Sequence, residues 1–353
     1  MNFRSDNVFA ASPEIMAALV AANQGAATSY GTDPLTKGLE NTFGDLFGSE
    51  VAVFPTITGT AANALCLATL TPAYGAIFCH DEAHIYVEEA GGPEFYTGGA
   101  KLMPIRGKHG QMDLAALKEM MHTACTRSVH WMPPAVVSVT QSTEAGTVYS
   151  LDALRAIIGA AKEKGLRVHM DGSRLGNALA RLGCSPVELT SKLGIDALSF
   201  GATKNGALGA EAVVLFKPTQ EHRQRLAYLH KRGGHLVSKM RFVSAQLEAY
   251  VKDGHWLKNA AHANKMGTRL EAGLKKIPGA VLEHPVEANE VFVRLPDPVI
   301  KALQADGAGF ARWGAADTTL VRLVCSFATT EKDVDDFLAA AGKHMAGKGG
   351  KDA

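Results

Sequence analysis

The segment from Val168 to Gly209, VHMDGSRLGNALARLGCSPVELTSKLGIDALSFGATKNGALG, contains two strand-like runs that each end at a charged residue. The first run alternates apolar and polar residues and stops at Asp171. The second passes from Phe200 into small residues that surround Lys204. These are the two groups that a pyridoxal 5'-phosphate (PLP) site requires. The amine forms a Schiff base with the PLP aldehyde, and the carboxylate keeps the ring nitrogen protonated.

Each member of this pair has a simpler interpretation as well. Asp171 precedes a glycine, and Asp-Gly is an ordinary turn pair. Lys204 could be an exposed loop lysine, which is the commonest setting for that residue type. The apolar run before Lys204 and the glycines around it favour the PLP interpretation, because glycine lets a flat cofactor approach the backbone closely.

The bulk composition indicates a cytoplasmic enzyme of ordinary character. The chain has 353 residues and a formal net charge of +1, so no electrostatic argument favours nucleic acid or an anionic membrane as a partner. Its five cysteines are scattered without metal-ligand spacing, which predicts reduced thiols and no metal site. The N-terminus lacks an apolar signal core, and no run is long enough to span a membrane.

Strands alternate with helices from about residue 50 to 216, which predicts an α/β fold with a mostly parallel sheet and helices on both faces. Ligands of such sheets bind at the carboxyl ends of the strands. Gly59, His84 and Glu144 follow predicted strands immediately, as do Asp171 and Lys204. We therefore expect these side chains to meet at one edge of the sheet.

The pattern changes from about residue 255, where an Ala- and Lys-rich helix precedes short strands and a last helix. We expect two domains, a large one over residues 1–250 that includes an extended N-terminal arm, and a small α/β C-terminal one over 251–353. The tail GKGGKDA at 347–353 is expected to be disordered.

Thr58, Gly59 and Thr60 lie between a strand and a helix, where free backbone N–H groups and the helix dipole favour an anion. They are candidates for a phosphate site, although an ordinary capped turn has the same composition. The dinucleotide-binding, P-loop and nucleophile-elbow motifs are all missing from the sequence, which argues against a nicotinamide dehydrogenase, a P-loop kinase and an α/β hydrolase.

Two arginines are candidates for binding anionic groups. Arg322 lies inside the apolar strand LVRLVCSF, where a buried guanidinium needs a partner, either a substrate carboxylate or a structural salt bridge. Arg174 follows Asp171 by three residues and could reach the cofactor or simply neutralise Asp171.

The segments FRSDNV, SYGTDPLT, TITGTAAN, HIYVEEAGG, HMDGSR and GATKNG, in this order, resemble the L-threonine aldolase family. This family of fold-type-I PLP enzymes also includes aromatic amino acid β-eliminating lyases. The resemblance extends from residue 2 to about 340. In its broad sequence content, the chain is similar to the branch of the family that includes L-phenylserine aldolases. HMDGSR together with the spaced lysine is fairly specific to the family, whereas the glycine motif alone is not.

The resemblance implies a large PLP domain, a small C-terminal domain and a homotetramer with its sites at dimer interfaces. By matching motifs, Lys204 would carry PLP, Asp171 would pair with its ring nitrogen, and His84 would stack on the ring. Arg174 would contact the phenolic oxygen. The phosphate would lie at Gly59 and Thr60.

The resemblance also assigns the residues that would bind substrate. Ser5 and Arg322 would bind the amino acid carboxylate, His84 would lie near the hydroxyl, and Tyr30 would enter the neighbouring subunit's site. These assignments imply a small-molecule amino acid as the partner, with no nucleic acid or membrane.

The chain departs from the family pattern at two places. The family's Asn-Thr-His segment is replaced by the run from Gln141 to Glu144. The family's Gly-Gly stretch with a nearby arginine becomes GGHLVSKMR, in which Lys239 or Arg241 could take the place of that arginine. Both departures affect substrate preference and the phosphate contacts rather than the cofactor.

The function implied is retro-aldol cleavage of L-3-hydroxy-α-amino acids, such as L-threonine, L-allo-threonine and L-phenylserine, to glycine and an aldehyde. His84 is the candidate base for the β-hydroxyl proton, or the residue that positions this hydroxyl. Two alternatives stay open, namely a PLP-dependent β-eliminating lyase and a non-catalytic PLP-fold binding protein.

Overall fold

The structure is a computed structural model that describes residues 1–315 and 317–346. The tail over 347–353, for which disorder was expected, lies outside the described residues. Within the described residues, none of the helices is both long and apolar enough to cross a membrane.

The strands of the structure belong to a large sheet, a small sheet and one short hairpin. They are β1 Val51–Thr56, β2 Ala76–His80, β3 Lys101–Ile105, β4 Gly107–Lys108, β5 Gln111–Met112, β6 Pro134–Thr140, β7 Arg167–Gly172, β8 Ala197–Gly201, β9 Glu211–Phe216, β10 Val281–Leu282, β11 Glu290–Arg294, β12 Ala311–Arg312 and β13 Leu320–Val324.

Helices occur between the strands and at both ends of the described chain. They are α1 Pro13–Ala22, α2 Pro34–Phe47, α3 Gly59–Leu70, α4 His84–Val87, α5 Gly92–Thr97, α6 Leu114–Thr126, α7 Leu151–Glu163, α8 Leu175–Leu182, α9 Pro186–Leu189, α10 Gln220–Arg232, α11 Arg241–Val251, α12 His255–Leu274, α13 Asp297–Ala305 and α14 Glu331–Ala346. Short 3-10 helices also occur, including Asp6–Val8 and Thr203–Asn205.

The large sheet has the strand order β1-β9-β8-β7-β6-β2-β3. Strands β8, β7, β6, β2 and β3 are parallel to one another, and β9 runs antiparallel between β1 and β8. All strands but β9 therefore point the same way, so their carboxyl ends share one edge. The prediction of an α/β fold with a mostly parallel sheet is confirmed.

The large sheet is buried on both faces, which explains why its central strands are almost purely apolar. Val214 of β9 belongs to a core cluster with Phe43 of α2, while its neighbour Val213 packs in a second cluster with Leu65 of α3. Successive side chains of a strand point to opposite faces, so both faces must be covered by helices.

The small sheet has the order β10-β11-β13-β12 and is antiparallel throughout. The N-terminal arm completes this part of the fold. Phe3 is fully buried in the small-sheet core, its N–H donates to Gly309 at 2.7 Å, and its carbonyl accepts from Val324 at 2.9 Å. The arm is therefore docked on the small sheet, which the sequence alone did not predict.

Candidate active site

The residues that follow the strands meet at the carboxyl edge of the large sheet, as predicted. In the register of β6, β7 and β8, Thr140 lies beside Asp171, and Asp171 lies beside Ser199. Asp171 thus lies at the end of β7, while Glu144 and Lys204 follow the adjacent strands β6 and β8. His84 begins α4 shortly after β2, the neighbour of β6.

Two adjoining cavities occupy this edge, and both are lined by Asn7, His84 and Lys204. The α3 cavity has a volume of about 350 Å³ and is also lined by Ile57, Thr58, Gly59, Thr60, Asn63, Ser173, Thr203 and Glu211. The Arg322 cavity has a volume of about 260 Å³ and is also lined by Ser5, Glu82, Val87, Glu88, Glu144, Arg174, Glu290, Trp313 and Arg322.

The N-terminus of α3 opens into the α3 cavity. Thr58 caps this helix and accepts the N–H of Ala61 at 3.2 Å. The N–H groups of Gly59 and Thr60 precede the helical hydrogen-bond ladder, so they remain available to an anion. The three residues predicted for a phosphate site therefore lie together in a geometry suited to one.

Asp171 lies behind the α3 cavity and is only 2% exposed. One carboxylate oxygen accepts the N–H and hydroxyl of Ser173 at 2.9 and 2.7 Å, and the other accepts the amide of Asn63 at 2.8 Å. Burial acts to raise the pKa of Asp171, but His84, the Ser173 hydrogen bonds and Lys204 outweigh it and hold this pKa below its usual range. Asp171 is thus a buried, ionised carboxylate.

His84 is held at the junction of the two cavities by buried carboxylates. Its Nδ1 lies 2.8 Å from Glu89, and its backbone N–H donates to Glu144 at 2.8 Å. Glu89 is also bound by Asn63, which links His84 to Asp171 through shared hydrogen bonds. The hydrogen bond to Glu89 raises the pKa of His84, against the opposing effect of burial.

Lys204 lies in the short 3-10 helix Thr203–Asn205, directly after β8, and is half-buried. Its two neighbours are anchored. Asn205 donates to Tyr250 and to the Trp256 carbonyl, both at 2.8 Å, and the Thr203 N–H donates to buried Glu211 at 3.3 Å. The loop is therefore fixed on both sides of the lysine, which directs the amine into the cavities.

Arg174 is half-buried between two buried carboxylates. Its Nε lies 2.8 Å from Asp6, and its Nη1 lies 3.1 Å from Glu290. Burial acts to lower the pKa of Arg174, but Asp6 and Glu290 reverse this and raise it. The arginine does not neutralise Asp171, which was one interpretation of the sequence. It ties the N-terminal arm to β11.

Arg322 is the less fully paired arginine of the two. Its Nη1 lies 3.8 Å from Glu290, its guanidinium stacks on Trp313 at 4.4 Å from the ring centre, and its buried Nε has no partner among the described residues. Burial lowers the pKa of Arg322, against the attraction of Glu290. These donors suit a carboxylate in the Arg322 cavity. Ser5, placed there by the docked arm, lines the same cavity.

Tyr30 and Lys239 are not brought to either cavity of this chain. Tyr30 is 50% exposed, and its N–H donates to the Ser238 carbonyl at 3.0 Å. Because Ser238 directly precedes Lys239, Tyr30 and Lys239 lie close together at the surface. Lys239 is exposed, and Arg241 binds the Gly25 carbonyl at 3.2 Å.

Several polar residues of the site were missed by sequence reasoning. They are buried or half-buried groups that hold the predicted ones in place: Asp6, Asn63, Glu89, Glu211, Glu290 and Trp313. Burial raises the pKa of Glu211 to about 7 beside Lys204. The available signal was a carboxylate or amide within an otherwise apolar run, as at Asn63 in α3 and Glu290 in β11.

Comparison with known proteins identifies the family. The family model described as beta-eliminating lyase matches residues 2–297. A low specificity L-threonine aldolase of a Pseudomonas species is 40% identical over 96% of each chain, and one of Pseudomonas aeruginosa is 41% identical over 87% of this chain and 88% of the relative. A solved Leishmania major threonine aldolase superposes with a TM-score of 0.90 at 26% identity, covering 98% and 99% of the two chains. This chain belongs to the beta-eliminating lyase family, with low specificity L-threonine aldolases as relatives.

Proposed function

We propose that this protein is a PLP-dependent aldolase that cleaves L-3-hydroxy-α-amino acids to glycine and an aldehyde. The observation that carries the proposal is the convergence of Lys204, ionised Asp171 and the α3 N-terminus around one cavity. The low specificity L-threonine aldolases among the relatives support the reaction, and L-threonine, L-allo-threonine and L-phenylserine are the proposed substrates.

The α3 cavity fits the three chemical features of PLP. The free N–H groups of Gly59 and Thr60, with the Thr58 hydroxyl, suit the phosphate, and the Lys204 amine suits the aldehyde. Asp171 suits a protonated ring nitrogen because its own hydrogen bonds keep it ionised. When bound, PLP would supply an electron sink for the bond that is broken at the substrate Cα.

The Arg322 cavity would hold the substrate. The Nε of Arg322 has no partner among the described residues and suits the amino acid carboxylate, and Ser5 adds a hydroxyl in the same cavity wall. Fixing the carboxylate sets which Cα bond faces the cofactor, so these residues decide that the Cα–Cβ bond is the one cleaved. We retain for Arg174 the predicted contact with the phenolic oxygen of PLP, supported by its place in the wall beside Lys204.

A substrate panel tests the proposed function. The purified protein would be incubated with PLP and each of L-threonine, L-allo-threonine and L-phenylserine, and products would be measured by chromatography. We expect equal amounts of glycine and aldehyde. Ammonia with a keto acid would identify the β-eliminating lyase instead, and PLP binding without any product would identify a binding protein.

We further propose that the active protein is a homotetramer in which each site is completed by a neighbouring subunit. Tyr30 and Lys239 support this, because both lie at the surface and outside the cavities of their own chain. Lys239 or Arg241 would then supply the positive charge for the phosphate, and Tyr30 would reach the substrate. Sedimentation velocity would give the number of subunits directly.

Mixed oligomers test the contribution of Tyr30 across an interface. Lys204→Ala and Tyr30→Ala chains should each be inactive or strongly impaired alone. Refolding or co-expressing them together should restore a measurable part of the wild-type activity, because a hybrid pair contains one site with both residues intact. If Tyr30 acted within its own chain, hybrids would show no activity above the sum of the two parents.

The division into domains at residue 250 and a cytoplasmic location remain proposals. The small-sheet core, formed mainly by residues after Met266, supports the division, although Phe3 of the arm also belongs to it. The cysteines are all unpaired, as a reducing compartment would require.

A further inference from the structure

We propose that Glu144 takes the proton from the β-hydroxyl of the bound 3-hydroxy amino acid, and that His84 positions this hydroxyl. The inference rests on the proposed aldolase function and deepens it by assigning the base. Glu144 stands in the segment where the chain departs from its family pattern.

The position of Glu144 suits a proton acceptor at this site. It lines the Arg322 cavity together with Lys204 and Arg322. One carboxyl oxygen accepts the His84 N–H at 2.8 Å, which fixes the group against the start of α4. The other oxygen is buried without a hydrogen-bond partner of good geometry among the described residues, although the Thr140 side chain lies near enough to lower the Glu144 pKa. One oxygen is therefore anchored, and the other is the one left to take a proton in the cavity wall.

His84 is less suited to accept a proton, although it lines the same cavity. Its Nδ1 is bound to Glu89 at 2.8 Å, and this hydrogen bond raises the pKa of His84. The bond to Glu89 thus favours the protonated imidazole, which donates hydrogen bonds but accepts none. In this form His84 orients the β-hydroxyl oxygen while another group removes the proton.

The surroundings of Glu144 keep both of its protonation states accessible near neutral pH. Burial, together with the charge of Asp171, raises the pKa of Glu144 to about 7, against the His84 N–H bond. A pKa close to the working pH is the favourable value for a general base. The charged or titratable groups around Glu144 are Cys79, Glu82, His84, Glu88, Tyr149, Asp171, Arg174, Lys204, His284, Glu290, Arg312 and Arg322.

The proton-transfer step balances without any further reactant. The hydroxyl O–H bond breaks, and its proton forms an O–H bond on the Glu144 carboxylate. The Cα–Cβ bond breaks as the C=O bond of the aldehyde forms, and its electron pair stays with the Cα of the glycine fragment. That carbon later takes one proton, so glycine and aldehyde together contain every atom of the substrate.

Glu144→Gln separates proton transfer from a purely structural role. The amide oxygen of glutamine can still accept the His84 N–H, so α4 stays in place, but the amide cannot take a proton at neutral pH. Glu144→Asp keeps a carboxylate and serves as the conservative variant. Glu119→Gln is the control, because it removes an exposed carboxylate from α6, outside the walls of both cavities.

For the PLP-loaded enzyme, we expect Glu144→Gln to lower kcat for L-threonine or L-phenylserine cleavage about 100-fold or more, the usual contribution of a general base. The wild-type kcat/KM should rise with pH through a midpoint near the Glu144 pKa of about 7 and lose this limb in Glu144→Gln. Glu144→Asp should recover part of the kcat and part of the rise of kcat/KM with pH. Glu144→Gln should still exchange the α-proton of glycine in D2O, as monitored by NMR, because this exchange needs no β-hydroxyl.

Three results would overturn the inference. Unchanged cleavage and an unchanged pH profile in Glu144→Gln would show that Glu144 is not the base, while leaving the aldolase function intact. Equal loss of cleavage and of glycine α-proton exchange would show a structural role. No cleavage by the wild type would remove the proposed function and this step with it. Glu119→Gln should behave as wild type.

Discussion

Lys204→Ala is expected to abolish cleavage of every substrate and to leave PLP bound without a covalent link. The amine lies in the wall of both cavities, between neighbours that are anchored by Tyr250, Trp256 and Glu211, and alanine offers no nitrogen to the cofactor aldehyde. Losing a covalent catalytic group costs orders of magnitude in rate. Assays of glycine release, with the visible absorbance of the dialysed protein, check both statements.

The matched control for this change is Lys258→Ala, which removes an exposed lysine from α12. It should leave both the absorbance and the rate unchanged. Glycine release by Lys204→Ala at more than a small fraction of the wild-type rate would show that another group performs this role. Retention of the wild-type absorbance by Lys204→Ala would show that another group attaches the cofactor.

Arg174→Met is expected to destabilise the fold by about 3–5 kcal/mol, because it leaves two buried carboxylates without their cation. Asp6 and Glu290 are 3% and 1% exposed, and both face the guanidinium. The pKa of Glu290 is already raised, chiefly by burial, so removing Arg174 would raise it further. Urea unfolding with and without added PLP would separate this effect from any lost cofactor contact.

Arg269→Met provides the control on an exposed pair. Arg269 meets Asp335 at 2.8 Å on the protein surface, where ion pairs contribute little. Its urea midpoint should match that of the wild type. A similarly small change for Arg174→Met would mean that Asp6 and Glu290 find other partners or become protonated without cost.

The strand-end residues could be predicted because one topological rule governs them. Alternation of strands and helices implies parallel strands, and the carboxyl ends of parallel strands share an edge. Glu144, Asp171 and Lys204 need no further information to be placed near one another. The registers of β6, β7 and β8, which place Thr140, Asp171 and Ser199 side by side, agree with this expectation.

The partners of these residues could not be predicted, because they are distant in sequence. Asp171 is bound by Asn63 from α3, and Arg174 is bound by Asp6 from the N-terminal arm. Nothing in the composition of the segment MNFRSDNVF indicates that Phe3 docks between Gly309 and Val324. That docking is what carries Ser5 and Asp6 to the cavities.

The sequence by itself determined the α/β architecture and the placement of Asp171 and Lys204 at one edge of the sheet, because both follow from local periodicity and from residue types at strand ends. The tertiary structure alone decided the electrostatics. Contacts with His84, Ser173 and Lys204 keep Asp171 ionised despite its burial, and burial raises the pKa of Glu144 to about 7. Among the described residues, the Nε of Arg322 is left without a partner while Arg174 is paired. Charge states depend on which groups approach through space, and only the folded chain brings them together.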